Sequence, residues 1–438
     1  MITAFCSWLK IYVEWFLRTV DAVPLKIHVF FLPAIIALFS CHSGTSSAQP
    51  AHADTIRMIT LNKPVPLDAN EYNRLHDACE HWYDSALLKR GFNGGMIVAK
   101  NGNIVFEAYH GTGHLPGHDT VNENTPFHIA SVSKTFTAMA VLKLWQDGKL
   151  NIDDEAAKYL IGFNYPGITV RTLLNHRSGL PNYIYFMEDL GWDKSQFIHN
   201  SDVLNYLIER KAELKNIAPP NVHFTYCNTN YALLALIVEK ITGKKFQDYL
   251  KQSFFFPLGM KNSFIYNSED SMQVNPSYDW KGRIMPFNFL DRVYGDKNVY
   301  TTPRDMLTWD RALSSGKIFK QETLDQAFTP YSNEKPGIRN YGLGWRMNIF
   351  PTGRKMIYHN GWWHGNNASF IRLIEDSATI IVLGNKFNRA IYHAHDLANL
   401  FGNYYAPADE EGTENLKTAD SFPIHKRKKI KQKGKHKR

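Results

Sequence analysis

Strand-forming patterns lie at the two ends of this chain's body, and helix-forming patterns lie between them. Near the amino end, Gly94-Gly95-Met96-Ile97-Val98-Ala99-Lys100 and Asn103-Ile104-Val105-Phe106-Glu107-Ala108-Tyr109 flank Asn101-Gly102. That pair suits a two-residue hairpin turn, whose central positions need positive φ. Near the other end, residues 341–345, 355–359, 368–374 and 378–384 read as four further strands, followed by a closing helix over 390–401. Strands so far apart share a sheet only if the chain returns to it after its helices. The pattern predicts an α/β (α+β) fold: one antiparallel sheet built from distant segments and covered by helices, with a largely helical lobe over about residues 152–300. An amphipathic helix over 70–90, carrying Leu75, Cys79, Trp82 and Leu87, precedes the hairpin. No internal repeat is present, and 438 residues with 44% apolar composition hold a sizeable core, which excludes a disordered or fibrous chain.

Three polar motifs are candidates for chemistry in the cleft between lobe and sheet. Ser131-Val132-Ser133-Lys134 opens an almost wholly apolar helical run, 136–145. A serine hydroxyl near neutral pH needs an adjacent base, and a lysine three positions on lies one helical turn away on the same face. To act as that base the lysine must lose its proton, which burial and a neighbouring cation both favour, and the apolar run predicts burial. Thr125-Pro126 suits an extended approach, so Ser131 is expected in the first helical turn, where free N–H groups and the dipole's positive end meet a developing oxyanion. Tyr226-Cys227-Asn228 adds a phenol that can shuttle a proton and an amide that can hold a substrate. His359-Asn360-Gly361 adds a strand edge whose glycine lets backbone approach. Isolated copies of these patterns mean little, since Ser-x-x-Lys recurs at Ser314/Lys317 and Ser332/Lys335, and Tyr-x-Asn at Tyr331/Asn333 and Tyr358/Asn360.

Order and context set the three apart. FHIASVSKTFTAMAVLKLWQDGKLNIDD, LLNHRSGLPNY, FTYCNTNYALLALIVEKITGKKF, YTTPRDMLTW, YGLGWRM and YHNGWWHG…IIVLGNK resemble successive blocks of the serine beta-lactamase-related family. That family includes class C beta-lactamases, D-alanyl-D-alanine carboxypeptidases, D-aminopeptidases and esterases. The resemblance runs from about Asn93 to about Lys386 in the family's order. It implies a beta-lactamase/transpeptidase-like fold and a serine hydrolase that forms an acyl-enzyme with small-molecule or peptide amides or esters. Ser131 would be the acylated nucleophile, Lys134 its base partner, Tyr226 the relay of a proton to the leaving group, and Asn228 the residue bonding the substrate amide. His359 and Gly361 would form the third motif, and the backbone N–H groups of Ser131 and Trp362 the oxyanion hole. Just beyond His176-Arg177-Ser178-Gly179-Leu180-Pro181, Tyr183 is expected to line the substrate channel, with His176 structural rather than a base.

The chain also departs from the family's patterns. Class C beta-lactamases usually carry Lys-Thr-Gly where this chain has His359-Asn360-Gly361, so a permanent charge gives way to one that fades above about pH 6.5. That favours peptidase or esterase activity over strong beta-lactamase activity. Trp362-Trp363 places bulk beside the oxyanion position, where it either narrows the pocket or fills the core. Two alternatives stand beside the hydrolase: a non-catalytic wall-peptide sensor or scaffold, and a true class C-type beta-lactamase.

Charge and targeting signals sit at the termini. Residues 421–438 hold nine of the 50 Lys and Arg and no acid, leaving 41 basic against 41 acidic residues elsewhere. The segment 406–438 reads as a disordered basic tail, either solvated or touching an anionic envelope surface. Residues 29–40 form a 12-residue apolar stretch, the length of a signal-peptide core rather than a membrane span. Leu38-Phe39-Ser40-Cys41 resembles a relaxed bacterial lipobox, so residues 1–40 are expected to be a lipoprotein-type signal peptide. Lipidation of Cys41 would then tether the protein to the membrane, in the periplasm or outer envelope, through a flexible linker over 41–66. An exported protein is not expected to meet nucleic acid. Residues 1–25 are long for a leader's first part, and WLKIYVEWFL reads as a second membrane-active helix or the result of a misplaced start.

Neither metal nor organic cofactor is expected. His110, His114 and His118 are separated by Gly111, Gly113, Pro116 and Gly117, which preclude a helix, while His364, His393 and His395 lack a thiolate or carboxylate at a ligand spacing. Cys79 and Cys227 make no disulfide framework, and Cys227 reads as a packed spacer.

Overall fold

A computed structural model describes residues 57–113, 120–267 and 274–405. The expected leader over 1–40, Cys41, the linker before residue 57 and the tail from 406 lie outside the described residues, as do His114 and His118. Seven strands form the main sheet: β1 (Gly94–Lys100), β2 (Asn103–His110), β3 (Arg339–Tyr341), β4 (Arg346–Ile349), β5 (Lys355–Trp363), β6 (Asn366–Leu373) and β7 (Ala378–Gly384). Their order is β2-β1-β7-β6-β5-β4-β3, and every neighbouring pair is antiparallel. The amino-terminal hairpin docks on the last strand with Gly94 facing Gly384 and Lys100 facing Ala378, so both ends of the body share one sheet.

Alternate residues of each strand feed two cores. Ile97, Ile357, Phe370, Ile381 and Leu383 face helices α2 (Ser133–Gln146) and α4 (Pro303–Leu313), which contribute Phe136, Met139 and Trp309. Met96, Val98, Met356, Ile371, Ile380 and Val382 face the other side, where α1 (Ala69–Trp82) and the closing segment Arg389–Leu400 bring Leu75, Cys79, Ile391 and Leu397. Cover on both faces explains why β7 reads as a continuous apolar run. Between β2 and β3 the chain builds helices, among them Val170–Leu174, Tyr183–Asp189, Asn200–Glu209 and α3 (Asn228–Thr242), which packs on α2.

Local chemistry sets the ends of these elements. Asp68 caps α1 by accepting from the backbone N–H groups of Asn70 (3.0 Å) and Glu71 (2.9 Å). The expected helix over 70–90 continues past α1 as one π turn, Tyr83–Leu87, and one 3₁₀ turn, Leu88–Arg90. The closing helix is also wound as 3₁₀ rather than α. Residues 341–345 are not one strand. Tyr341 ends β3 and the chain then turns through Gly344, whose φ is +88° and where a Cβ would sit 2.2 Å from that of Ala138 on α2. Glycine is required there by the dihedral and by the close approach. The last part of the expected linker lies along the body: Ile59 N–H donates to the Pro257 carbonyl (2.7 Å), and Arg311 donates to that of Asn62 (2.6 Å).

Candidate active site

Ser131 sits in a single 3₁₀ turn, Ala130–Val132, that runs directly into α2. Ala130 holds φ at +48°, a costly value for a residue with a Cβ. Its N–H donates to His128 Nδ1 (3.1 Å), and His128 Nε2 donates to Asn298 Oδ1 (3.0 Å), so side-chain bonds hold the turn. Burial keeps that imidazole neutral, its pKa pushed down to about 4. Lys134 follows one turn after Ser131. Its amine is fully buried and donates to Ser131 Oγ (3.0 Å) and to the Asp296 carbonyl (2.8 Å). The Tyr226 ring lies 5.0 Å from the amine and the Tyr231 ring 5.7 Å.

Strand β5 brings the third motif to this turn by outrunning its neighbour. Pairing with β4 ends at Tyr358 opposite Arg346, whereas pairing with β6 continues to Trp363 opposite Asn366. One edge of 359–363 is thus uncovered by β4 and lies against the nucleophile's turn. A Cβ on Gly361 would stand 2.3 Å from the Ile129 carbonyl oxygen and 3.1 Å from the Ser131 nitrogen. A larger residue would push the strand off the nucleophile. The backbone at Gly361, with Trp362 next along, therefore runs beside the Ser131 N–H, the setting in which two main-chain donors can serve one oxyanion.

The geometry is that of nucleophilic acyl transfer, and a family model described as Beta-lactamase matches residues 83–401. The chain belongs to the beta-lactamase family. This family is one of serine hydrolases, typically amidases, peptidases and esterases. Among curated proteins this beta-lactamase-family chain is similar to Penicillin-binding protein 4* of Bacillus subtilis (strain 168), 30% identical over 355 residues, covering 76% of this chain and 78% of that one. Among solved structures it is similar to the penicillin binding protein from Bacillus halodurans, with TM-score 0.63, 25% identity and cover of 74% of this chain and 98% of that one. It also shares its fold with the D-amino acid amidase from Ochrobactrum anthropi SV3, with TM-score 0.60, 20% identity and cover of 76% and 97%.

The remaining expected site residues differ in where they fall. Asn228 opens α3 and is 3% exposed, and its Oδ1 is buried with no hydrogen-bond partner among the described residues, ready to accept an N–H. His359 is wholly buried; its Nδ1 donates to the Asn360 carbonyl (2.7 Å) and its Nε2 faces the Tyr341 hydroxyl (3.3 Å). Burial first, then the charges of Arg346 and Lys134, hold its pKa well below 6.5. The expected charge that fades above that pH is therefore not there to fade, and His359 is neutral throughout the neutral range. Tyr183 does not line a channel: it has no exposed surface, and its hydroxyl donates to Asp296 Oδ2 (2.9 Å) behind Lys134. The tryptophans divide, with Trp363 in the core at 6% exposed and half-buried Trp362 packed at a tilt against Phe387, ring centroids 5.5 Å apart. His176 is buried and accepts the Cys227 N–H (3.2 Å), and its ring packs 4.3 Å from that of Tyr226. Burial pushes the Cys227 thiol up to about 11, which leaves it a packed spacer.

Sequence reasoning missed two parts of the site. Arg346, half-buried, holds its guanidinium 5.0 Å from the Tyr226 ring and supplies positive charge to this wall. Its signal was its position as the cation in YGLGWRM, one strand over from His359. Asp296 and Lys297, both buried, form the wall behind Lys134. They carried no signal, because a charged pair beside Gly295 and Asn298 reads as a solvated loop.

Proposed function

We propose that this beta-lactamase-family protein is a cell-envelope hydrolase that cleaves amide or ester substrates through an acyl-enzyme on Ser131 and favours substrates with a carboxylate on the leaving portion. One observation carries the reading: a fully buried lysine amine 3.0 Å from a serine hydroxyl, beside a tyrosine ring and against a strand edge. Ser131 Oγ attacks the substrate carbonyl and its proton passes to the amine of Lys134. The backbone N–H groups of Ser131 and Trp362 hold the oxyanion. When the carbonyl re-forms, the bond to the leaving nitrogen or oxygen breaks and Tyr226 relays the proton to that atom. Water then attacks the ester on Ser131, releasing the acid and restoring the hydroxyl.

Asn228 Oδ1 suits the N–H of the acyl portion, since it is a buried acceptor with no hydrogen-bond partner among the described residues. Recognition of a carboxylate falls to Arg346, because a guanidinium stays charged where neutral His359 does not. Likeness to a penicillin-binding protein and the lipobox-like Cys41 support an envelope location with a lipid tether and the basic tail near an anionic surface.

The test is intact-mass analysis after exposure of wild type and Ser131→Ala to a fluorophosphonate and to a fluorescent penicillin. One adduct on wild type and none on the variant is expected. If neither probe gives a Ser131-dependent adduct and no ester is turned over, the protein is a binding module instead. Nitrocefin, p-nitrophenyl esters and D-Ala-D-Ala peptides then rank the substrates, with carboxylate-bearing peptides expected first.

A further inference from the structure

Behind the nucleophile lies a second set of charged groups that no step above uses. Asp296 is 1% exposed and Lys297 2% exposed. Asp296 Oδ2 accepts from the Tyr183 hydroxyl (2.9 Å) and lies 3.4 Å from the Lys297 amine, which also donates to that hydroxyl. The same amine sits 4.6 Å from the Trp363 ring and 5.1 Å from the Tyr183 ring. The Trp363 indole N–H donates to Asp291 Oδ1 (2.5 Å), a carboxylate that His364 Nε2 also approaches at 3.0 Å. Burial opposes ionisation of Asp291, but the bonds from His364 and Trp363 outweigh it and hold that carboxyl below its ordinary range. The segment from Asp291 to Lys297 thus touches both halves of the site. Its carbonyl at Asp296 holds the Lys134 amine at 2.8 Å, and its charges hold Trp363. Trp363 lies two residues beyond Gly361 and so on the same face of β5, the face that meets Ser131.

Burying an ion pair is costly, and a pair of apolar residues of similar volume commonly gives equal or better stability. Stability therefore gives no reason for Asp296 and Lys297. Geometry gives one, since a misplacement of about 1 Å at a reacting centre costs on the order of a hundredfold in rate.

We propose that Asp296 and Lys297, braced by Tyr183 and Asp291, are positioning residues that fix the Lys134 amine relative to the strand backbone at Gly361 and Trp362. The inference rests on the hydrolase reading above and adds to it a reason for the buried pair. Its test uses the full chain and the double variant Asp296→Asn/Lys297→Met, which removes both charges and leaves neither unpaired. Unfolding within a few degrees of wild type is expected, with phosphonylation of Ser131 by the fluorophosphonate, in which an Oγ–P bond forms and fluoride leaves, slowed tenfold or more. In ester turnover kcat should fall while KM stays within about twofold, and the end-point should remain one probe per chain, which loss of folded protein would reduce. A wild-type rate of Ser131 phosphonylation in the folded double variant would overturn the proposal. Should that variant not fold, Tyr183→Phe decides independently, since it deletes one hydroxyl and keeps the ring: a threefold or greater fall in kcat supports the proposal and an unchanged kcat overturns it. A wild type that forms no Ser131 adduct sinks the hydrolase reading and this inference together, whereas an adduct formed equally fast in every variant sinks only the inference.

Discussion

Helices α2 and α4 pack on the same face of the sheet, Phe136 of one stacking on Trp309 of the other at 4.6 Å, yet they treat charge in opposite ways. Two of helix α4's charges pair with partners of opposite sign on the strands. Arg304 reaches Glu107 of β2 (2.7 Å), and Asp310 receives Arg372 of β6 (2.5 Å) and the Thr379 hydroxyl of β7 (2.6 Å). Helix α2 pairs Lys143 with Asp147 at its surface end but buries Lys134 against a hydroxyl and a carbonyl. An ion pair fixes protonation and joins layers, whereas an amine facing neutral oxygens can give up or take a proton without breaking a structural bond. Helix α4 therefore anchors the sheet and α2 carries the chemistry.

The sharpest way to break this contrast is Lys134→Arg. Arginine keeps the charge and much of the bulk but cannot act as a base. If proton transfer is what Lys134 provides, acylation of Ser131 falls by about 10³-fold, the range of lost general-base catalysis, and Lys134→Ala is no worse. Retention of a tenth of the wild-type rate in the arginine variant would make Lys134 an electrostatic fixture like those of α4.

The mirror-image change is Asp310→Ala. It strips Arg372, 2% exposed, of its carboxylate, and leaving such a charge buried costs about 3–5 kcal/mol. The urea midpoint should drop accordingly, while kcat per folded molecule stays at the wild-type value. A fall in kcat without a loss of stability would erase the division of labour between the helices.

Acid should act on the α2 side. His128 titrates at 6.5 unfolded and about 4 folded, so between these values the unfolded chain binds a proton that the folded chain does not. Its contribution is complete above pH 6.5 and is lost as pH falls through about 4, amounting to about 3 kcal/mol. His176 and His359, both held well below 6.5 by burial, push in the same direction. Urea melts between pH 7 and 4 should show stability falling, with a shallower slope in His128→Asn, and an equal slope in that variant would remove His128 from the account.

Much of the frame was legible because local chemistry and tertiary demand agree there. Asn101-Gly102 makes the hairpin, and the apolar run of β7 suits a strand covered on both faces. Residues 341–345 were misread because Tyr341, Leu343 and Trp345 alternate with glycines as a strand would, although the glycines mark a turn against Ala138. The chain does bring Ser131, Lys134, Tyr226, Asn228, His359 and Gly361 into neighbouring parts of the fold. Their environments were not legible. That His359 is neutral follows from burial beneath Tyr341 and beside Arg346, and that Tyr183 is a brace follows from Asp296, a residue 113 positions away. Both depend on elements meeting that are far apart in sequence.

The mildest change examines where substrate charge is read. Arg346 lies at the end of β4, in register with Tyr358 and over the Tyr226 ring, so Arg346→Met keeps an apolar stem of similar length against that ring while removing the guanidinium. If the guanidinium reads a carboxylate, peptides ending in a free carboxylate should lose about tenfold in kcat/KM, the worth of one charge-assisted contact, mostly through KM. The matching peptide amides and p-nitrophenyl acetate, which offer no such charge, should change less than twofold. An equal loss on all substrates would mean that Arg346 supports Tyr226, moving it from substrate recognition to the same structural class as the cations of α4.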